Sequence, residues 1–155
     1  MLISIGTWWS RRRPLKSSGS SMQESLRAWV DTLLPAEPDF SGALALGVAQ
    51  QVISTVEHDL VLAKLTSQAL IWVDARAAEA GATGFHELSE PARSAIVAAA
   101  STSPLGSAPR TFFQATLDEA LFHTYADPRA WAGLAYAGPP QPIGFLDYAV
   151  APKPA

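Results

Sequence analysis

Apolar positions recur three or four residues apart along most of this sequence, which is the spacing of one face of an α-helix. The first such face follows a capping box in which Ser21 is the N-cap and Glu24 stands three residues later. Its apolar members are Leu26, Trp29, Val30, Leu33 and Leu34. Pro35 ends this predicted helix, because the residue before a proline is pushed out of the α region.

A longer helical pattern extends from residue 43 to about residue 80. Its apolar row has a spacing of four residues and consists of Leu44, Val48, Val52, Val56 and Leu60. Because this span is long for a single helix in a globular protein, we expect a break near residues 57–59. Gly81 and Gly84 supply its C-terminal stop. Trp72 lies on an apolar face, and we expect it to be a core residue like Trp29.

Two further helices follow a short linker that buries Phe85 and Leu88. Ser89 caps a helix that runs to about Ser101. The last predicted helix runs from Arg110 to Tyr125. Its core stripe is predicted to be Phe113, Leu117, Leu121 and Tyr125, flanked by Phe112, Thr116 and Ala120. Since no stretch alternates with period two, the sequence predicts an all-α fold, a small bundle of about five helices.

The helical pattern stops at Asp127 and Pro128, and an irregular arm rich in proline, glycine and aromatic residues follows. Its prolines exclude a helix interior or a central strand, so residues 138–142 are predicted to be extended and polyproline-like. Aromatic side chains on such an arm need apolar surface, on this domain or on another chain. We predict a disordered basic and serine-rich tail at residues 1–21, a helical domain at residues 22–148 and a flexible C-terminus at residues 149–155.

Composition narrows the classes of function. The chain has 155 residues, of which 48% are hydrophobic, which is enough for one domain with a real core. A net charge of −3 gives no reason to expect nucleic acid. The absence of cysteine excludes disulfides and thiolate metal sites. No apolar run has the length of a transmembrane segment.

No motif for catalysis, cofactor binding or metal binding is recognisable. The sequence has no G-x-S-x-G elbow, no G-x-G-x-x-G or Walker A loop, and no Glu-x-x-His pair of the di-iron type. One alternative is a small helical enzyme or ligand-binding bundle with a polar pocket around His58, Glu119 and His123. Another alternative is a self-contained domain whose arm completes its own core.

The arm is the candidate surface for binding a partner protein, because Trp, Tyr and Phe anchors carry most of the energy of such interfaces. The candidate contact residues are Arg129, Trp131, Tyr136, Gly138, Pro139, Pro140, Gln141, Pro142, Gly144, Phe145, Asp147 and Tyr148. Arg129 and Asp147 are assigned to the polar rim.

The residues from Ser10 to Lys16 are similar to a twin-arginine export signal, with Pro14 at its aromatic position. A polar, serine-rich segment follows where such a signal has an apolar region. This part of the sequence therefore favours a cytoplasmic location.

The order of several short motifs resembles the gluconate 2-dehydrogenase subunit 3 family, the small or gamma subunit of flavin-dependent sugar and alcohol dehydrogenase complexes. The motifs are Leu33-Leu34-Pro35, the step from Phe40 to Ala43, Phe85 with Leu88-Ser89, Phe112-Phe113, Tyr125-Ala126-Asp127-Pro128, and the glycine- and proline-rich end from Trp131 to Tyr148. The resemblance covers about residues 22–148.

This resemblance implies an accessory role. Subunits of this kind bind and stabilise a large subunit that holds FAD and performs the chemistry, so it implies no cofactor in this chain and FAD in the partner. They also assist maturation and export, which implies an exported complex in place of the cytoplasmic location favoured above.

Overall fold

The computed structural model of the protein describes residues 18–131 and residue 133. Over these residues the chain forms seven α-helices and one 3-10 turn, in the order α1 (Ser18–Leu33), α2 (Gly42–Ala45), α3 (Val48–His58), α4 (Leu60–Glu79), the 3-10 turn (Phe85–Glu87), α5 (Glu90–Thr102), α6 (Ala108–Ala126) and α7 (Pro128–Trp131). The predicted all-α bundle is confirmed. None of these helices is both long enough and apolar enough to cross a bilayer.

Two helices, α1 and α6, organise the bundle. Helix α1 contacts α2, α3, α5, α6 and the 3-10 turn, and α6 contacts α1, α3, α4, α5 and α7. Every other helix therefore packs against at least one member of this pair. The last helix, α7, continues from the end of α6, so the position of α6 also sets where the C-terminal arm begins.

Trp29 of α1 is the centre of the core. Its side chain is fully buried, and its ring lies 5.5 Å from the ring of Phe85 and 5.0 Å from the ring of Phe112. The indole Nε1 donates a hydrogen bond of 2.9 Å to Thr116 Oγ1, and the Thr116 hydroxyl donates in turn to the Phe112 carbonyl at 2.7 Å. This chain satisfies the polar groups of a buried tryptophan and threonine and joins α1 to α6.

Helix α1 already includes Ser18, so Ser21, which was predicted to be its N-cap, lies inside the helix. The prediction of a capping box at Ser21 is therefore wrong. Serine costs only a few tenths of a kcal/mol more than alanine inside a helix, and the buried face that starts at Ser25 and Leu26 stabilises the whole element.

The long helical pattern after residue 42 is divided at two places. The break predicted near residues 57–59 is confirmed: Asp59 separates α3 from α4 and accepts hydrogen bonds from Val61 N at 2.8 Å and Leu62 N at 3.0 Å. A second break at Gly47, with φ of +76°, was not predicted. Because both breaks reset the helical phase, Leu44 and Leu60 leave the predicted core row and are 42% and 86% exposed.

The core face of α6 is rotated by one residue from the prediction. The buried row is Phe112, Thr116, Ala120 and Thr124. The predicted stripe is only half-buried at Phe113, Leu117 and Leu121, and its last member, Tyr125, is exposed. Thr116 faces inward because it binds Trp29, and this hydrogen bond sets the rotation of the helix.

Trp72 of α4 was expected in the core, and the structure places it at the border of the core instead. It is half-buried, and the Arg76 guanidinium carbon lies 5.5 Å from its ring centroid. This is a partly exposed cation–π pair, which covers one face of the indole.

Replacing Thr116 with valine keeps the shape of the side chain and removes the acceptor for Trp29. We expect the Thr116→Val variant to lose about 1–3 kcal/mol of unfolding free energy, since a buried indole N–H is left without a partner. Urea unfolding measures this loss. Thr111→Val, at an exposed position of the same helix, is the matched control and should change stability little; equal effects of the two substitutions would contradict this role of Thr116.

Candidate partner-binding site

The junction between α6 and α7 is built on one carboxylate. Asp127 ends α6, and its Oδ1 accepts a hydrogen bond from Arg129 N at 2.8 Å. The Arg129 side chain folds back on the same carboxylate, with Nε 3.0 Å from Oδ1 and 3.1 Å from Oδ2. The hydrogen bonds from the Arg129 side chain and then its backbone N–H hold the pKa of Asp127 below its ordinary value, and the same carboxylate raises the pKa of Arg129.

Arg129 also connects α7 to a distant part of the chain. Its Nη2 donates a hydrogen bond of 2.8 Å to the carbonyl oxygen of Leu46, the residue that follows α2. The next residue, Ala130, is 2% exposed. Helix α7 is therefore attached to the bundle by a charged side chain and a buried methyl group. Arg129 was predicted to be the polar rim of a partner interface, and its guanidinium already has two partners within the chain.

Trp131 folds back onto the end of α6. Its Nε1 donates a hydrogen bond of 2.8 Å to the carbonyl oxygen of Tyr125. The last carbonyls of a helix have no partner within it, so this indole satisfies one of them. The half-buried ring fixes the path of the chain just before the arm continues.

Gly133 touches the loop after α1. A Cβ built on Gly133 would collide with the carbonyl oxygen of Asp39, so the backbone approaches this loop more closely than a side chain allows. Gly133 also lines a groove of about 410 Å³ at one end of the bundle. The lining of this end groove includes the side chains of Leu33, Leu34, Phe40, Leu121, Thr124 and Tyr125.

The structure describes two of the twelve predicted contact residues, Arg129 and Trp131, and brings both to the α6–α7 junction. The other ten lie outside the described residues: Tyr136, Gly138, Pro139, Pro140, Gln141, Pro142, Gly144, Phe145, Asp147 and Tyr148. Their role stays a prediction. The arm itself was predicted to be irregular from Pro128, and the structure begins it with the short helix α7.

The end groove was missed by the sequence reasoning. It combines the last residues of α1, the following loop and the last turns of α6, which are about ninety residues apart in the chain. These segments come together only because α1 packs against α6, and no local pattern in the sequence predicts that contact.

Two of the three residues proposed for an alternative polar pocket line one cleft. His58 and His123 lie in an open cleft of about 490 Å³ between α3 and α6, beside Asp59. His58 binds the Ser54 carbonyl at 2.7 Å, and Glu119 Oε2 lies 3.5 Å from His123 Nε2. His58 is exposed and His123 is half-buried, so the cleft lies at the surface of the bundle and not in its core. Across residues 18–131 and residue 133, no cluster of three or more His, Asp or Glu is arranged to hold a metal ion.

A serine, a histidine and a glutamate also meet, where α1 contacts the 3-10 turn. His86 Nδ1 lies 3.4 Å from Ser25 Oγ, and its Nε2 lies 3.3 Å from Glu24 Oε2. Ser25 is 2% exposed, so its hydroxyl has no open path to a substrate. The arrangement ties the linker before α5 to α1. His86 therefore has a structural contact with α1.

Several large apolar side chains of the described helices and loops stand in solvent. They are Leu44, Leu60, Val61, Ile71, Leu105, Phe122 and Tyr125. Leu60, Val61 and Leu105 are each more than three-quarters exposed. Single exposed apolar residues of this size are common in proteins. In a protein that binds other chains, they are candidates for the binding surface.

The fold and this site define a small all-α domain in which the last long helix leads through a firmly attached turn into a proline-rich arm. The family model described as gluconate 2-dehydrogenase subunit 3 matches residues 21–138. The chain belongs to this family. Comparisons with curated proteins and with solved structures give no match.

Replacing Arg129 with glutamine should release α7 without unfolding the bundle. The substitution removes the paired hydrogen bonds to Asp127 and the bond to Leu46, so the backbone amide of Ala130 should exchange with deuterium at least about tenfold faster, while the urea midpoint changes little. Arg76→Gln is the control, because Arg76 pairs with Glu79 inside one exposed helix turn. Unchanged exchange at Ala130 would show that Arg129 does not hold α7.

The carboxylate of Asp127 should titrate below its ordinary pKa of 3.8. Because the folded pKa is lowered, the stability contributed by this group is present above pH 3.8 and is lost as the pH falls through the lower folded value. A carbon-detected NMR titration measures the midpoint. In Arg129→Gln the midpoint should rise toward 3.8; the same midpoint in both proteins would remove Arg129 as the cause.

Proposed function

We propose that this chain is a non-catalytic accessory subunit that binds and stabilises the large, FAD-containing subunit of a sugar or alcohol dehydrogenase. The observation that carries the proposal is membership of the gluconate 2-dehydrogenase subunit 3 family across residues 21–138. The family is described as subunit 3 of a dehydrogenase, and a subunit functions in a complex with other chains. The redox chemistry then belongs to the flavin of the large subunit, and this chain supplies a binding surface.

Two features of the described residues support a binding role. Large apolar side chains such as Leu60, Val61 and Phe122 stand in solvent, where they offer anchors for another chain. The start of the arm is fixed by Arg129 and Trp131. An arm with a fixed origin loses less conformational freedom when it binds than a free tail does, so more of its contact energy remains as affinity.

In this proposal the arm provides the main contact with the large subunit. Residues 138–148 combine prolines, which lower the entropy of the free arm, with the aromatic anchors Phe145 and Tyr148. Recognition of a proline-rich, extended segment requires an aromatic-lined groove on the partner. No residue of this chain is assigned to catalysis, cofactor binding or metal binding.

The full chain, tagged at its N-terminus, should retain a larger flavoprotein from a native lysate. The eluate should show flavin absorbance near roughly 370 and 450 nm and should reduce an artificial electron acceptor with a sugar or alcohol as donor. A chain that ends at residue 137 should retain at least about tenfold less flavin, because it lacks the aromatic anchors. A chain that ends at residue 148 is the control and should retain as much as the full chain.

The results of this experiment test the accessory role and the contact surface separately. If no flavoprotein is retained by the full chain, the accessory role is wrong. If the chain that ends at residue 137 retains flavoprotein as well as the full chain does, residues 138–148 are not the contact surface. In that case, the exposed apolar residues of the helices become the candidates, and substitution of Leu60 and Phe122 by serine tests them.

A further inference from the structure

The end groove has apolar walls, with Glu37 and Asp39 also in its lining, and the described residues leave it open. Leu33, Leu34 and Phe40 pack only partly against the core, and Tyr125 is 56% exposed. The groove encloses about 410 Å³, which is the size of a site for a few side chains. Covering such walls removes apolar surface from water and is favourable.

Among the polar groups at the groove, the hydroxyl of Thr124 is buried and distinguishes among possible occupants. Thr124 is 4% exposed, and its Oγ1 is buried with no hydrogen-bond partner among the residues that the structure describes. Thr124 lines the groove. A buried hydroxyl without a partner is unfavourable, so the occupant should bring a hydrogen-bonding group as well as apolar side chains. A peptide backbone brings both a donor and an acceptor.

The chain itself brings a peptide to this place. Gly133 lies in the wall of the groove, pressed against the Asp39 carbonyl, and 22 residues follow it in the sequence (155 − 133). An extended chain advances at most about 3.6 Å per residue, so residues 134–136 are within about 11 Å of Gly133. A segment tethered this closely has an effective concentration at the groove on the order of millimolar.

The sequence after Gly133 has the composition that the groove requires. Leu134 and Tyr136 alternate with Ala135 and Ala137. An extended backbone would place the two large side chains on one side and the two methyl groups on the other. The large pair would face the apolar walls, and the small pair would leave the outer side of the segment free of bulk.

We infer that the end groove binds residues 134–137 of the same chain, with Leu134 and Tyr136 against Phe40 and Leu121 and a backbone group on Thr124 Oγ1. This docking does not depend on a partner protein. It rests on the proposed function in one respect only: Tyr136 is assigned to the groove and not to the partner contact. Residues 138–148 then remain as the contact with the large subunit.

A double-mutant cycle in the isolated full chain tests the contact. Phe40→Ser, Tyr136→Ser and the double variant are compared by urea unfolding, together with a matched cycle of Phe40→Ser and Tyr148→Ser. We expect Tyr136→Ser alone to raise the unfolding equilibrium constant by about tenfold. In the Phe40→Ser and Tyr136→Ser double variant, the increase in the unfolding equilibrium constant should be smaller than the product of the two single increases, by a factor of about three or more. In the Phe40→Ser and Tyr148→Ser double variant, the increase should equal the product of the two single increases.

A photo-crosslinking amino acid at position 136 of the isolated chain identifies the occupant directly. Cross-links within one chain to the peptides that contain Phe40 or Leu121 support the inference, and the same amino acid at position 148 should not give them. Cross-links between two chains that increase with protein concentration would assign the groove to a second copy and overturn the inference. Absence of both kinds of link, with independent effects of Phe40 and Tyr136, would also overturn it.

The result of this test is independent of whether the proposed function is correct. It uses the chain without any large subunit, so loss of flavoprotein binding leaves its result unchanged. Conversely, an empty groove in the isolated chain leaves the role of residues 138–148 in flavoprotein binding to be measured by the truncated chains.

Discussion

The bundle depends on the hydrogen bond between Trp29 and Thr116. A buried tryptophan brings much apolar area into a core, and its N–H must then find an acceptor there. Here the acceptor is on another helix, 87 residues further along the chain. The bond therefore fixes how α6 is rotated against α1. Phe85 and Phe112, which pack on the same indole, bring the 3-10 turn into this arrangement.

The rotation of α6 has effects two turns further along the helix. With Thr116 inside, Thr124 is also inside, and Tyr125 lies at the surface beside the end groove. The carbonyl of Tyr125 is then available to Trp131, and Asp127 is placed to begin α7. The position of α7, with which the arm begins, thus depends on the hydrogen bond between Trp29 and Thr116 in the middle of the core.

Much of the fold was predictable, because helix boundaries depend on local chemistry. The break at Asp59 and the helix after Ser89 were found from sequence alone. The phase of α6 was not, since Phe113 and Phe112 are equally apolar and only the partner of Thr116 decides between them. For the site, sequence reasoning named Arg129 and Trp131 as contact residues of the arm, and that role stays a prediction. It could not find their partners, Leu46 and Tyr125, because those contacts are made through backbone carbonyls, which every residue carries.

Beyond Phe112, helix α6 has small side chains where it touches its neighbours and larger ones at the edges of those contacts. Ala120 and Thr124 are buried, whereas Leu117 and Leu121 are half-buried. The distance between helix axes depends on the side chains at the contact, so the small residues determine the spacing of this bundle. In the proposed complex, a subunit that covered Leu117 and Leu121 would contact a helix whose spacing is set by these small residues, so we expect little movement of the backbone on binding.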